Sequence, residues 1–308
     1  MNGRDKINQL ITQRMIDRIT EIGELPWHKP WTSVSMMPRN LVSKKNYRGV
    51  NVFLLHMMGF TSQWWLTLKQ VNALGGKIRT GEKGSPVVFF KIVEPRGDAV
   101  GSDGKSKSFA MLRYYRVWNT DQCEGLDGKV PVVEVPKRVH TPIENAEAVI
   151  RNMPCPPRVA HGRRQASYCP PTDTVSMPSP ETFVSGESYF SALLHECVHA
   201  TGAAKRLARK AIMEPNRFGS DPYAKEELVA ELGAAFLCGH CGILPKTEEN
   251  SAAYLKGWLA RLKAEPSMLI TAGSQAQKAY DYVLGNLEIK APAAEPVAEG
   301  VVAEKLAA

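Results

Sequence analysis

No stretch of the 308 residues stays apolar for eighteen positions, so no membrane-spanning helix is expected and no membrane partner. The first residues, Met1-Asn2-Gly3-Arg4-Asp5-Lys6, lead into an amphipathic segment and lack the apolar core of a secretion signal. Cysteine is scarce: six residues, scattered, with none of the spacing of a secreted disulfide framework. The single C-x-x-C, Cys238-Gly239-His240-Cys241, has no second pair with which to close a structural zinc site. No internal repeat is visible. These absences point to a cytoplasmic globular protein, long enough for two domains with a core each.

What is present is unevenly placed. The sequence contains His195-Glu196-Cys197-Val198-His199, an H-E-x-x-H pattern. On a helix, positions four apart share a face, so His195 and His199 can hold one metal ion. Glu196 is beside them, where a carboxylate can take a proton from an attacking water. Leu193, Leu194 and Val198 supply an apolar face, Gly202 a stop, and Ser185 or Ser188 a cap. The ordinary alternative is two surface histidines on an amphipathic helix.

A second helix is expected over Glu226 to Leu237, with carboxylates near its start. A catalytic zinc takes three protein ligands and keeps one position open. Glu227 and Glu231 are four apart and share a face. In related zinc peptidases the first of such a pair binds the metal. Glu227 is therefore the expected third ligand, with Glu231 holding the free ring N–H of a ligand histidine and Glu226 as the alternative ligand. The cofactor implied is Zn2+, the activity a metallopeptidase, and the substrate a protein or peptide. Acidic residues that merely favour a helix start are the alternative.

Charge is equally lopsided. Residues 1–135 carry the whole net charge of +8, and the remainder is balanced. Between 27 and 118 the aromatics Trp27, Trp31, Tyr47, Trp64, Trp65, Tyr114, Tyr115 and Trp118 interleave with cations. Those are Lys29, Lys44, Lys45, Arg48, Lys69, Lys77, Arg79, Lys83, Arg113 and Arg116. Aromatic faces that stack bases and cations that follow phosphates are what single-stranded nucleic acid needs. Trp27 and Trp31, set among prolines, are the pair expected to be exposed. Tryptophans buried as core and a generic solvated basic face are the alternative.

Periodicity predicts a helix over 4–22 and two more over 50–58 and 62–74, the second carrying Trp64 and Trp65. Strands are expected over 87–93 and 109–117, with a Gly/Ser/Lys-rich loop from 94 to 108 between them. Helices over 144–152 and 274–285 and a hairpin over 165–178 follow. The fold class is α+β in two domains: 1–126, a linker over 127–143, then 144–290. The tail 291–308, poor in large apolar groups, is expected to be disordered.

Five ordered pieces of the first half resemble one family. They are Leu25-Pro26-Trp27-His28-Lys29-Pro30-Trp31, Tyr47-Arg48-Gly49-Val50-Asn51, Trp65-Leu66-Thr67-Leu68-Lys69-Gln70, Gly81-Glu82-Lys83-Gly84 and Asn119-Thr120-Asp121-Gln122-Cys123-Glu124-Gly125-Leu126. Together with His195 to His199 and Glu226 to Phe236, the chain is similar to the ArdC antirestriction proteins of conjugative plasmids. The resemblance implies an N-terminal single-stranded DNA-binding domain, also found on some plasmid primases, and a C-terminal zincin-like metallopeptidase domain. It implies a role in shielding transferred plasmid DNA from restriction. Two other readings compete: a peptidase that cuts DNA-bound proteins, and an accessory module of a plasmid primase. No polymerase or helicase motif supports the last.

Overall fold

The structure is a computed structural model, and it describes residues 3–28, 37–93, 109–131, 141–214, 220–243 and 252–287. It opens with α1 (Gly3–Ile22), whose Ile11, Met15, Ile16 and Ile19 are buried at helical spacing. Then come β1 (Arg39–Asn40), α2 (Val50–His56), β2 (Trp64–Leu66), α3 (Leu68–Ala73) and β3 (Lys77–Ile78). The long strands β4 (Ser85–Val93) and β5 (Phe109–Asn119) follow, and β6 (Cys123–Glu124) ends the first half. β4 and β5 pair antiparallel from Ser85↔Val117 to Val93↔Phe109. The main sheet has the order β1-β2-β5-β4, and β3 pairs with β6.

Only the second half of the helix expected over 62–74 forms. Residues 62–74 divide into β2 and α3, because Thr67 starts a new helix: its side chain accepts from the backbone N–H of Gln70, and Gln70 returns a bond to Thr67. Trp64 and Trp65 therefore lie on a strand and are buried.

The second half begins at α4 (Pro142–Arg151), capped by Thr141 with a reciprocal Glu144 bond. Next come β7 (Arg158–His161), β8 (Ser167–Cys169) and β9 (Thr174–Met177), in the order β7-β9-β8. The β8–β9 pair, with Ser167 opposite Ser176, is the expected hairpin around Pro170 to Asp173. The helices α5 (Gly186–Ala200), α6 (Lys210–Met213), α7 (Asp221–Cys241), α8 (Ala252–Ala264) and α9 (Ser267–Val283) complete it. No helix among the described residues is long and apolar enough to cross a membrane. The expected loop 94–108, most of the linker and the tail from 291 fall largely or wholly outside the described residues.

The two halves do not keep wholly separate cores. Two small clusters belong to the first: Leu41, Trp64, Leu66, Val71 and Leu126, and Tyr47, Leu55, Trp65, Val87 and Val117. The large core is shared, with Ile11, Met15, Trp27 and Phe53 joining Phe236, Trp258, Leu262 and Leu269. Phe53 stacks on Phe236 with ring centroids 4.9 Å apart. A helix with one apolar stripe must bury it somewhere, and α1 buries its stripe against the helices of the second half.

Candidate metal centre and its cleft

Helix α5 starts at Ser185, whose hydroxyl accepts from the Ser188 N–H. Leu193, Leu194, Cys197 and Val198 face inward and fix the helix's rotation. α7 crosses it closely at Gly233, where a Cβ would come within 2.8 Å of Val198 Cγ1. Any larger residue would push the helices apart. That close approach sets the carboxylates of α7 against the histidines of α5.

His195 Nε2 lies 3.1 Å from Glu227 Oε1, and His199 Nε2 lies 3.7 Å from Glu227 Oε2. The two Nε2 atoms are 3.2 Å apart. One donor atom from each residue can be chosen so that all lie within 4.8 Å of one another. Ligands at zinc-like bond lengths in a tetrahedron stand about 3.4 Å apart, so these separations fit donors gathered round one small cation. Two neutral imidazoles that both turn a lone pair inward would repel, and a shared cation removes the conflict.

Glu227 and the imidazoles shift one another electrostatically. Burial presses the His195 imidazolium down, but the hydrogen bond and charge of Glu227 outweigh it and raise His195 to about 9. Burial pushes the Glu227 carboxyl up, and the opposing bond from His195 brings it down to about 2.

Behind the ligand atoms lies Glu226, nearly buried. His199 Nδ1 is 3.3 Å from its Oε1, and Arg209 donates through Nε to Oε2 at 2.9 Å. Arg209 also donates to the Thr201 hydroxyl at 2.7 Å and to the Val198 carbonyl at 2.7 Å, tying the end of α5 to α7. Burial raises the Glu226 carboxyl, but His199 and Arg209 hold it below its ordinary value. The place expected for Glu231 is thus filled by Glu226. Glu231 sits one turn further along α7 and lines the same cleft on its Trp27, His28 and Tyr254 side, away from the ligand imidazoles' hydrogen bonds. Its carboxylate accepts from Trp27 Nε1 at 2.6 Å and from the Tyr254 hydroxyl.

The open side is a cleft of about 580 Å³ lined by Glu196, His195 and Glu227, with His28, Arg164 and Phe183 around them. Glu196, 8% exposed, reaches it from α5. His28 comes from the first half and stacks on Tyr254 with centroids 6.1 Å apart. Arg209 and His28 were not anticipated. Arg209 stands in no motif, and the Leu25 to Trp31 piece that contains His28 does not say where its ring points.

The expected nucleic-acid residues scatter. Trp27 is 1% exposed, wedged edge-on to Phe53 and Trp258, and so is core and not a base platform. Pro26 sits within the turn closed by the His28 N–H on the Leu25 carbonyl at 2.9 Å. Lys29 and Trp31 lie outside the described residues. Trp64 is buried under Lys44, whose Nζ sits 4.7 Å from the ring centroid. Lys69, Lys77, Lys83, Arg113 and Arg116 are exposed. Arg79 pairs with Glu82 and the Asp121 carbonyl. Lys45, Tyr47 and Arg48 line one groove together, and Arg48 is ion-paired with Asp281.

Residues 5–118 match the N-terminal domain of anti-restriction factor ArdC, and residues 144–275 match a zincin-like metallopeptidase. Protein y4eC of Sinorhizobium fredii (strain NBRC 101917 / NGR234) is 35% identical over 84% of this chain and 84% of its own length. A DNA primase TraC of Escherichia coli is 32% identical over 92% of this chain, which spans only 20% of the primase. A second TraC is 32% identical over 90% of the chain and 27% of its own length. Two crystal structures of the antirestriction protein ArdC from plasmid R388 superpose on 91% of this chain and 97% of theirs. The metal-free form gives a TM-score of 0.68 at 34% identity, and the Mn(II)-bound form 0.69 at 33%. The zincin-like half thus suggests a divalent metal. The chain belongs to the ArdC antirestriction family, an ArdC N-terminal domain joined to a zincin-like metallopeptidase domain.

Proposed function

We propose that this protein is a cytoplasmic antirestriction factor that binds single-stranded DNA and shields incoming plasmid DNA from host restriction. We further propose that its zincin-like half holds one zinc ion through His195, His199 and Glu227. The convergence of these three donors on a cleft that also receives Glu196 carries the metal reading. Two imidazoles and one carboxylate are a donor set suited to zinc. The basic first half and the family carry the DNA reading.

A bound divalent ion would supply a Lewis acid that polarises a peptide carbonyl and makes water acidic near neutrality. The chain's own groups do the rest. Glu196 accepts the proton from water at its carboxylate oxygen and returns it to the departing amine nitrogen. Glu226 takes the Nδ1–H of His199, which leaves Nε2 bare toward the donor set. Arg209 keeps Glu226 charged for that purpose.

A second reading has support of its own: a peptidase that the basic half places on DNA, where it cuts bound proteins. The complete donor set and the cleft favour it. Plasmid transfer into a restricting recipient separates the two. If Glu196→Gln protects DNA as well as the wild type, binding alone shields. If protection collapses while DNA binding persists, proteolysis is the working step. Failure of the wild-type protein to raise transfer would sink the antirestriction reading.

A further inference from the structure

With Trp27 in the core, base stacking needs other rings. Among the described residues the exposed large aromatics are Phe89, Tyr114 and Tyr115, and all three lie on the β4–β5 pair. Their register places two on one face. Tyr115 pairs with Val87 and Arg113 with Phe89, so Phe89 and Tyr115 are diagonal neighbours on the same side as Arg113. Diagonal positions stand about 7–8 Å apart, enough for each ring to take its own base.

Phe89 and Tyr115 open onto a groove of about 730 Å³ whose far wall is α9, from the other half of the chain. Lys45 and Lys278 line it, are exposed, and have no ion pair among the described residues. Arg48 lines it as well, ion-paired with Asp281, and no carboxylate is among the lining groups. Its deeper amides are already engaged. Asn51 bonds both backbone groups of Val88, each at 2.8 Å, and Asn40 bonds Gln70 at 3.0 Å. A groove with open ring faces, cations and few free amides fits a strand recognised by stacking and phosphate, with little sequence readout.

The two walls are fixed to one another. The Gly49 N–H donates to Gln277 Oε1 at 2.9 Å, and a Cβ on Gly273 would lie 2.8 Å from the Val50 nitrogen. α2 and α9 therefore meet backbone to backbone, which only glycine at 273 permits. α9 packs in turn along α7, the helix that bears Glu226 and Glu227.

We propose that a single strand of DNA lies in this groove between the β4–β5 pair and α9, with bases on Phe89 and Tyr115 and phosphates on Lys45 and Lys278. The site is thus shared by both halves and is not confined to the ArdC N-terminal domain. This assignment rests on the single-strand reading above.

The test is fluorescence anisotropy on the full chain with a labelled oligothymidylate and a labelled duplex. Phe89→Ala and Tyr115→Ala should each weaken single-strand binding about 5- to 150-fold and leave thermal stability near wild type, since both rings are exposed. Lys278→Glu should weaken it more than Lys77→Glu, an exposed cation on β3 outside the groove, and should flatten the salt dependence. Wild-type affinity in the aromatic variants would overturn the groove while the single-strand reading stands. Equal losses from Lys278→Glu and Lys77→Glu would also overturn it, in favour of bulk attraction. Failure of the wild-type chain to bind the single strand at low salt would remove both.

Discussion

The α5–α7 pair and the aromatic segment of the first half announce themselves equally loudly in the sequence, yet only one keeps its promise of place. His195 and His199 are held together by helix geometry, so four residues of spacing fix where both rings point. Trp27, Trp64 and Tyr47 are joined only by composition. Interleaved rings and cations carry no period, so nothing says which ring faces water, and the structure buries all three. A pattern bound to a period gives positions. A pattern bound to composition gives only an inventory.

The sharpest way to break that contrast is at the donor set. The wild-type chain should bind about one divalent ion per chain. His195→Ala should abolish it, and Glu196→Gln should keep it, because Glu196 handles a proton and not the ion. Elemental analysis after exhaustive dialysis would read both. Full occupancy in His195→Ala would mean that helical spacing misled as badly as composition did.

Trp27 tests the other side. As a core ring between Phe53 and Trp258 it should cost about 3–5 kcal/mol on truncation to alanine, with Glu231 losing its indole donor as well. Chemical denaturation would show it. A base platform in solvent would instead lose DNA affinity with stability intact. The result also bears on dissection: residues 1–125 alone would bare α1 and Trp27, so this first half is expected to be less stable apart from the second.

The carboxylates of α7 divide next. Glu226→Gln should weaken metal affinity about 10–100-fold through His199, and Glu231→Gln should do less. Competition with a chromophoric chelator ranks them. The reverse order would return Glu231 to the role its spacing suggested.

Those three cases show what was legible. Helix α1, the β4–β5 pair, the β8–β9 hairpin and the motif helix could each be read from periodicity and turn residues. The strand β2 could not be, because Trp64-Trp65-Leu66 is too short a run to declare a period; the Thr67 and Gln70 capping box was the available signal, and it marks the start of α3. Glu226 against Glu231 was undecidable locally. Which carboxylate meets His199 depends on the register of α7 on α5, set by Gly233 against Val198. His28 reaches the site from the first half of the chain and Arg209 from the turns just after the motif helix, and neither contact follows a helix or strand period. The shared core was hidden for the same reason: an amphipathic α1 needs a partner, and its sequence does not say which half provides it.

The smallest effect expected concerns the scaffold behind the motif helix. Asp173 follows the single 3-10 turn Pro170–Thr172 between β8 and β9 with φ 46° and accepts from Arg206 at 2.7 and 2.9 Å, from Lys205 at 2.8 Å and from the Tyr168 hydroxyl at 2.8 Å. Arg206, itself buried, also donates to the Ala200 carbonyl at 2.9 Å and so ties this hairpin to the end of α5. Burial raises the Asp173 carboxyl, but the bonds from Arg206, Lys205 and Tyr168 prevail and hold it far below its ordinary value. A carboxyl depressed in the folded state stabilises above its unfolded pKa of about 3.9 and loses that stabilisation as pH falls toward the folded value. Stability should therefore drop as pH falls below about 5. Asp173→Asn should lose roughly 1–3 kcal/mol at neutral pH and show a shallower acid slope. Unfolding free energies of both proteins between pH 7 and 3 would decide it. Parallel slopes would show that the acid sensitivity of this half lies in other carboxylates, and that Asp173 is a surface neighbour of Arg206 and not its anchor.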